Sequence, residues 1–298
     1  MSVHQLSALL AAAAEAGGSV PNFSDPPQKA RADFAAFLGG LPVPDGIAVE
    51  AREVAGVPGL QVTPVNGSDR VAALYLHGGA YVAGDPQGYL GIIGGIAKAS
   101  GFAVFAPDYT LAPAKRFPGA VDEALAVYRV LAEEVGADRL TVVGDSAGGG
   151  LALALLVAAR SAGVPQPAAA VLLSPWADLT CSGESASGRA DRDPLLSRQQ
   201  LLDAAAVYLD GADPRDPLAS PALGDLSGLA PITVHVGTEE VLYDDAVRVA
   251  DASGGTLRAW DGMVHDWALF WFAVDESAEV LAEVGATVAS ATSIKETI

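Results

Sequence analysis

The chain has 298 residues, of which 51% are hydrophobic and 18% are charged, a composition typical of a folded globular protein. Its 36 acidic and 17 basic residues give a net charge of −19, and such a surface repels phosphate backbones and anionic lipid headgroups. We therefore expect neither nucleic acid nor a membrane as a partner.

The N-terminal segment lacks the pattern of an export signal. Glu15 interrupts its apolar run, no Lys or Arg precedes that run, and no long uncharged apolar stretch occurs elsewhere. We expect a cytoplasmic protein. The segment predicts two helices, at 4–16 and 28–38, the second following Pro26 and Pro27.

The middle of the chain alternates between short apolar runs and helical patterns. Residues 47–65 first predict one or two antiparallel strands. From residue 71 the alternation is typical of βαβ units, so we predict a mostly parallel sheet flanked by helices. The predicted strands are 71–76, 102–106, 140–143, 169–173, 232–236 and 256–260. The predicted helices are 89–100, 121–135, 147–162, 244–253 and 276–289.

The alternation stops at Pro175. Residues 176–226 are rich in Gly, Asp, Pro and Ser around one predicted helix at 197–209, with Ser197 as its N-cap. This segment is typical of an insertion between two strands rather than of a part of the sheet.

A glycine-rich turn lies between the third of these strands and its helix. It reads Gly144-Asp145-Ser146-Ala147-Gly148, the Gly-x-Ser-x-Gly pattern of a nucleophile elbow. A plain strand-ending turn is the alternative, and a phosphate-binding loop is disfavoured because no Lys follows the glycines. The strand before the turn and the helix after it favour Ser146 as a nucleophile, with the N–H of Ala147 as an oxyanion donor.

The glycine-rich loop His77-Gly78-Gly79-Ala80 follows the first parallel strand. Its backbone N–H groups are free to face a developing oxyanion, whereas the alternative is a simple turn at the end of a strand.

A serine nucleophile needs a base, and the chain order expected after an elbow is serine, acid, histidine. His4 lies near the N-terminus, His77 precedes the serine, and His235 lies inside an apolar strand, where a buried structural role is expected. His265 follows the last strand on a loop and is the predicted base. The acid should follow strand 232–236, where the candidates are Glu239, Glu240, Asp244 and Asp245, the last two being expected to cap the next helix.

Other polar side chains are less suited to catalysis. Asp145 is expected to hold the loops around the elbow, and Cys181, the single cysteine, lies in a polar stretch without elbow-like context. The histidines lack the paired spacing of metal ligands, and no dinucleotide-binding fingerprint is present. We expect no metal and no cofactor.

These motifs together resemble those of the hormone-sensitive-lipase-like (bacterial family IV) carboxylesterases, over residues 70 to 290. His77-Gly-Gly-Ala80 resembles the HGGG motif of that family, and residues 144–149 resemble its GDSAGG motif. Residues 108–113 with Phe117-Pro118 resemble DYRLAPE…FP, residues 216–221 resemble D-P-x-x-S-P, and residues 261–265 resemble H-G-M-x-H.

The resemblance implies an α/β-hydrolase fold and a role for specific residues. Alignment on Leu242 makes Glu240 the triad acid, with Glu239 as the alternative. The implied oxyanion hole consists of backbone N–H groups of Gly78, Gly79, Ala80 and Ala147, and the implied substrate-binding side chains are Tyr81 and Trp176. Ala80 departs from the third glycine of the motif, and its methyl group is expected to narrow the acyl pocket.

The resemblance also implies a domain division and a function. Residues 1–45 are expected to be N-terminal cap helices and 176–226 a cap insertion, while 46–175 and 227–298 form the catalytic domain. The expected reaction is hydrolysis of short-to-medium acyl esters through a Ser146–Glu240–His265 triad. The alternatives are an amidase or lactonase with the same triad and a non-catalytic receptor. A long-chain lipase would need a wide apolar cleft. The resemblance also suggests a homodimer.

Overall fold

The computed structural model describes Gln5, Leu6, Ala8, Leu9 and residues 20–293. Gln5, Leu6, Ala8 and Leu9 are helical, but most of the helix expected at 4–16 lies outside the described residues. Within the described ranges, none of the helices has the length and hydropathy needed to cross a membrane.

The described chain contains an 8-stranded sheet. Its strands are β1 (Ile47–Val54), β2 (Val57–Pro64), β3 (Ser68–Leu76), β4 (Phe102–Pro107), β5 (Thr141–Asp145), β6 (Ala169–Leu173), β7 (Ile232–Gly237) and β8 (Thr256–Trp260). The spatial order is β1-β2-β4-β3-β5-β6-β7-β8. Only the β1–β2 and β2–β4 pairs are antiparallel, so the predicted mostly parallel sheet is confirmed.

The helices of residues 20–293 are α1 (Pro27–Gly39), α2 (Leu90–Ser100), α3 (Gly119–Val135), α4 (Ser146–Ser161), α5 (Ser185–Gly188), α6 (Arg198–Leu209), α7 (Tyr243–Ser253) and α8 (Asp275–Ser293). Of these, α2, α3, α4, α7 and α8 pack against the strands of the sheet. α2 packs on α8, and α3 packs on α4. The last six residues of β3 and all five of β5 are buried, which is expected of strands that are covered on both faces.

The elements predicted from the apolar runs are present, with boundaries that shift by a few residues. β3 begins at Ser68 rather than 71, and β5 extends through Asp145 to the turn itself. Ser197 caps α6 as predicted, because its side chain accepts the backbone N–H of Gln200. Residues 176–226 leave the sheet between β6 and β7, which pair directly.

Candidate active site

The elbow between β5 and α4 places Ser146 in a strained backbone conformation. Its φ is +50°, a left-handed value that costs a non-glycine residue about 1 kcal/mol or more. The turn is possible only because Gly148 lacks a side chain, since a Cβ there would lie 2.0 Å from the carbonyl oxygen of Leu76. The sharp turn leaves the Ser146 hydroxyl at the carboxyl end of β5 and the first N–H groups of α4 beside it.

His265 lies on the loop after β8, within hydrogen-bond distance of Ser146. Its Nε2 is 2.9 Å from the Ser146 Oγ. Its Nδ1 is 3.3 Å from Oε2 of Glu240, which lies on the loop after β7. The carboxyl ends of three parallel strands thus bring a hydroxyl, an imidazole and a carboxylate into one chain of contacts.

The Glu240 carboxylate is fully buried and fixed by two further donors. Its Oε1 accepts the Ser174 hydroxyl at 2.7 Å and the Gly237 N–H at 2.6 Å. These bonds leave Oε2 to face the imidazole, so the carboxylate is oriented before any substrate binds. Burial raises the pKa of Glu240 to about 7, against the opposing effect of these donors and of His265.

The other acid candidates point elsewhere. Glu239 forms an ion pair with Arg192 at 3.0 Å, away from the imidazole. The expectation that Asp244 and Asp245 cap α7 is wrong, because that helix has no side-chain cap. Instead, their carboxylates accept backbone N–H groups of the 176–226 segment, Asp245 from Ala177 and Asp178 and Asp244 from Ser185. They fasten that segment to the first turn of α7, which directly follows the loop that carries Glu240.

The loop after β3 leaves two backbone N–H groups next to Ser146. In the described part of the chain, the N–H groups of Gly79 and Ala80 donate no hydrogen bond, and that of Ala147 lies in the first turn of α4, where no helical acceptor exists. Gly78 differs from expectation, because its N–H already donates to Asp145 Oδ1 at 2.9 Å. The structure therefore offers Gly79, Ala80 and Ala147, but not Gly78, as oxyanion donors.

Asp145 holds this loop against the elbow. Besides the Gly78 N–H it accepts the Tyr75 hydroxyl at 2.6 Å, and it makes no contact with the imidazole of His265. Burial, reinforced by the neighbouring Asp266, raises its pKa well above the usual value for aspartate. Its position fits the structural role expected from the sequence.

His77, His235 and Cys181 lie outside the chain of contacts, while His4 is not among the described residues. His77 stacks on Tyr109 with ring centroids 4.3 Å apart, and His235 accepts the indole N–H of Trp260 at 3.1 Å. Burial lowers the pKa of each histidine to about 4, so both are neutral. Cys181 is buried, which raises its pKa to about 12 and leaves no reactive thiolate.

A cavity opens over Ser146 and His265. It is lined by Val20, Pro21, Phe23, Phe34, Phe37, Gly79, Ser146, Leu195, His265, Asp266 and Leu269. The walls are thus mainly apolar, and most of the aromatic side chains come from the N-terminal segment. A larger cavity of about 640 Å³ lies beside α1 and β2, but it contains neither Ser146 nor His265.

The structure does not bring Tyr81 and Trp176 to this cavity. Tyr81 stacks on Tyr208 with centroids 4.0 Å apart, and both Tyr81 and Trp176 are buried. Trp176 supports the elbow through its backbone N–H, which donates to the Ser146 carbonyl at 2.8 Å. Because these two side chains pack behind the elbow, the geometry disfavours a direct contact between them and the substrate.

Three residues at the site escaped the sequence analysis. Ser174 donates to Glu240 from the end of β6. Asp193 accepts the N–H groups of Val241 (3.1 Å) and Leu195 (3.2 Å), and the backbone N–H of His265 also faces its carboxylate. For these two, no signal in the chain predicted the contact, since they lie far from their partners in sequence. Asp266 directly follows His265, and that adjacency could have identified it.

Three carboxylates surround the imidazole. Glu240 faces Nδ1, Asp266 Oδ2 lies 3.3 Å from Nε2, and Asp193 approaches from the 176–226 segment. Burial lowers the pKa of His265, but Asp266 and Glu240 together outweigh burial and raise it well above 6.5.

A base acts only when it is neutral, so kcat/KM is expected to fall as the pH drops through this raised pKa. We expect the acidic limb of the pH profile to lie above pH 6.5. Asp266→Asn removes one negative charge and should move the limb to lower pH by about one pH unit. The profile of kcat/KM against pH for a neutral ester measures this, and an unchanged limb in the variant would contradict the assignment of Asp266 to the imidazole.

Within the described residues, no group of three or more His, Cys, Asp or Glu side chains is arranged to hold a metal ion. The expectation that neither metal nor cofactor takes part stays a prediction.

The chain shares its sequence and shape with known proteins. A family described as having the α/β-hydrolase fold matches residues 73–269. An acetyl-hydrolase of Streptomyces hygroscopicus is 46% identical over 225 residues, 74% of this chain and 75% of that protein. An ethyl acetate hydrolase of Pseudomonas putida is 35% identical over 228 residues, 72% of this chain and 71% of that protein. The crystal structure of an esterase from the bacterial hormone-sensitive lipase family superposes with a TM-score of 0.86 at 39% identity, covering 90% of this chain and 92% of that one.

Proposed function

This chain belongs to the hormone-sensitive-lipase-like carboxylesterases of the α/β-hydrolase fold, and from that premise we propose that it hydrolyses short-chain carboxylic esters through Ser146, His265 and Glu240. The observation that carries the proposal is the chain of contacts in which the imidazole lies 2.9 Å from the hydroxyl and 3.3 Å from the carboxylate.

In the first step, the Ser146 Oγ attacks the ester carbonyl carbon while His265 Nε2 accepts the hydroxyl proton. The Glu240 carboxylate accepts a hydrogen bond from the Nδ1–H of His265 and stabilises the imidazolium that forms. The N–H groups of Gly79, Ala80 and Ala147 bind the negative oxygen of the tetrahedral intermediate. When the intermediate collapses, the C–O bond to the alcohol breaks, Nε2 returns the proton to the leaving oxygen, and an acyl-enzyme remains on Ser146.

In the second step, water replaces the alcohol. His265 Nε2 takes a proton from the water as its oxygen attacks the acyl carbon, and the same oxyanion donors bind the second intermediate. Collapse breaks the bond to Ser146 Oγ, the serine regains its proton from Nε2, and the carboxylic acid leaves. The residues end the cycle in their starting protonation states.

The proposed preference for short acyl chains rests on the cavity walls. Phe34 and Phe37 face the space over Ser146 together with Leu195, and these bulky side chains limit the room for an acyl chain. Ala80, whose methyl group was expected to narrow the acyl pocket, is not among the described residues that line this cavity. The names of the two relatives, an acetyl-hydrolase and an ethyl acetate hydrolase, agree with such a preference.

A series of p-nitrophenyl esters tests this function. We expect the acetate and the butyrate to be hydrolysed, with kcat/KM for the palmitate lower by roughly 100-fold or more, because a long chain collides with the aromatic walls. Phe37→Ala should raise the butyrate-to-acetate ratio, whereas Phe272→Ala, a control on an exposed phenylalanine outside the cavity, should leave it unchanged. Palmitate faster than butyrate would favour a lipase, and no turnover of any ester by folded protein would favour a receptor.

A further inference from the structure

Asp266 places a carboxylate on the wall of the cavity, next to the catalytic nitrogen. Its Oδ2 lies 3.3 Å from His265 Nε2, the same nitrogen that faces Ser146. Among the described residues that line the cavity, it is the one acidic side chain. The triad mechanism uses Glu240 on the other imidazole nitrogen and assigns Asp266 no step.

The surroundings of Asp266 are costly for the folded state. The residue is 8% exposed, and its Oδ1 has no hydrogen-bond partner among the described residues. A buried carboxylate oxygen without a donor destabilises a protein, and the φ of Asp266, +49°, adds backbone strain. Backbone strain clusters at active sites and ligand clamps, and a buried polar atom without a partner at such a place points to a functional role.

The mechanism determines which part of a substrate lies beside this carboxylate. The acyl carbon bonds to Ser146 Oγ, whereas the leaving oxygen of the alcohol must come within hydrogen-bond distance of Nε2 to receive its proton. Because Asp266 Oδ2 is 3.3 Å from that same Nε2, the first atoms of the alcohol group pass next to Asp266. The acyl group is directed elsewhere, so Asp266 is positioned to discriminate between alcohols.

The rest of the cavity favours a cation in this position. Phe23, Phe34 and Phe37 line it, and the faces of aromatic rings attract ammonium groups. No basic side chain is among the described lining residues to neutralise Asp266, apart from the imidazole itself.

We propose that Asp266 is a specificity-determining residue that selects esters whose alcohol carries a positive charge, such as esters of small amino alcohols with an ammonium group close to the ester oxygen. The inference rests on the proposed function, since it places the alcohol through the proton transfer from His265. In the bound complex the substrate ammonium lies beside Oδ1, the carboxylate oxygen that has no hydrogen-bond partner among the described residues.

Two acetates of nearly the same shape test this selection. They are 2-(trimethylammonio)ethyl acetate and its neutral carbon analogue 3,3-dimethylbutyl acetate. We expect the wild-type protein to favour the cation in kcat/KM by about 10- to 100-fold, as an ion pair in a partly dry site would give. Asp266→Asn should reduce this ratio to within about 2-fold of unity. A ratio of two substrates on one enzyme cancels any change in the base that affects both.

The control is Asp261→Asn, which removes the same charge from an exposed position five residues away. It should keep the wild-type ratio, because a general attraction by surface charge contributes little at moderate salt. Equal loss in both variants, or a wild-type protein that does not prefer the cation, would overturn the role of Asp266 while leaving the esterase function intact. If folded wild-type protein hydrolyses neither ester, the proposed function itself fails.

Discussion

Replacing Ser146 by alanine is expected to lower kcat by about 10⁶, the loss that follows when a triad nucleophile is removed and the oxyanion donors alone remain. The methyl group cannot attack a carbonyl carbon. Among the described residues that line the cavity over His265 there is no second hydroxyl or thiol, and Cys181 is buried elsewhere. Steady-state hydrolysis of p-nitrophenyl acetate measures the loss, after the rate of uncatalysed hydrolysis in buffer has been subtracted.

Ser146→Gly provides the matched control for folding. Both variants lack the hydroxyl and should be equally inactive, but glycine relieves the strain of the +50° backbone conformation. Its free energy of unfolding should therefore exceed that of the alanine variant by about 1 kcal/mol. An alanine variant that keeps a tenth of the wild-type activity would remove Ser146 from the nucleophilic role.

Glu240→Gln is expected to lower kcat by about 10⁴. The amide fills nearly the same volume but cannot stabilise the imidazolium, and it favours the tautomer of His265 that presents a proton, rather than a lone pair, to Ser146. The Ser174 hydroxyl and the Gly237 N–H, which donate to one oxygen of Glu240, can donate in the same way to the amide oxygen of glutamine. The side chain is therefore held in place while its charge is lost.

Glu239→Gln separates the two neighbouring acids. It removes the same charge one residue away, where the carboxylate pairs with Arg192 on the surface, and such exposed pairs contribute little. We expect kcat within about 2-fold of wild type for this variant. The opposite result, with Glu239→Gln inactive and Glu240→Gln active, would assign the acid to Glu239 instead.

Local patterns were enough to predict the sheet. Most parallel strands are short apolar runs that end in, or are followed directly by, glycine or a polar residue, so their presence follows from periodicity and turn chemistry. The boundaries were less well predicted, because β3 gains its first residues by pairing with β4, which is a contact at a distance along the chain. The Gly-x-Ser-x-Gly turn was predictable since its steric requirement is local.

The neighbours of His265 show why the rest of the site was harder to predict. Asp193 and Ser174 reach the triad through loops whose paths depend on the whole fold, and no pattern in the sequence encodes those paths. Gly78 was expected to be free because its motif fits an oxyanion loop, whereas its N–H is bound by Asp145, more than sixty residues later. The domain division, the homodimer and the cytoplasmic location stay predictions.

The N-terminal segment that lines the cavity has a practical consequence for protein engineering. Arg31 fastens α1 to the site through the carbonyl oxygens of Val82 and Ala112, so this wall keeps its place although it belongs to no strand. Val20 and Phe37 lie at its partly exposed surface. A library randomised at these two positions would sample new substrate ranges without changing a residue of the sheet, which makes this wall a suitable starting point for directed evolution.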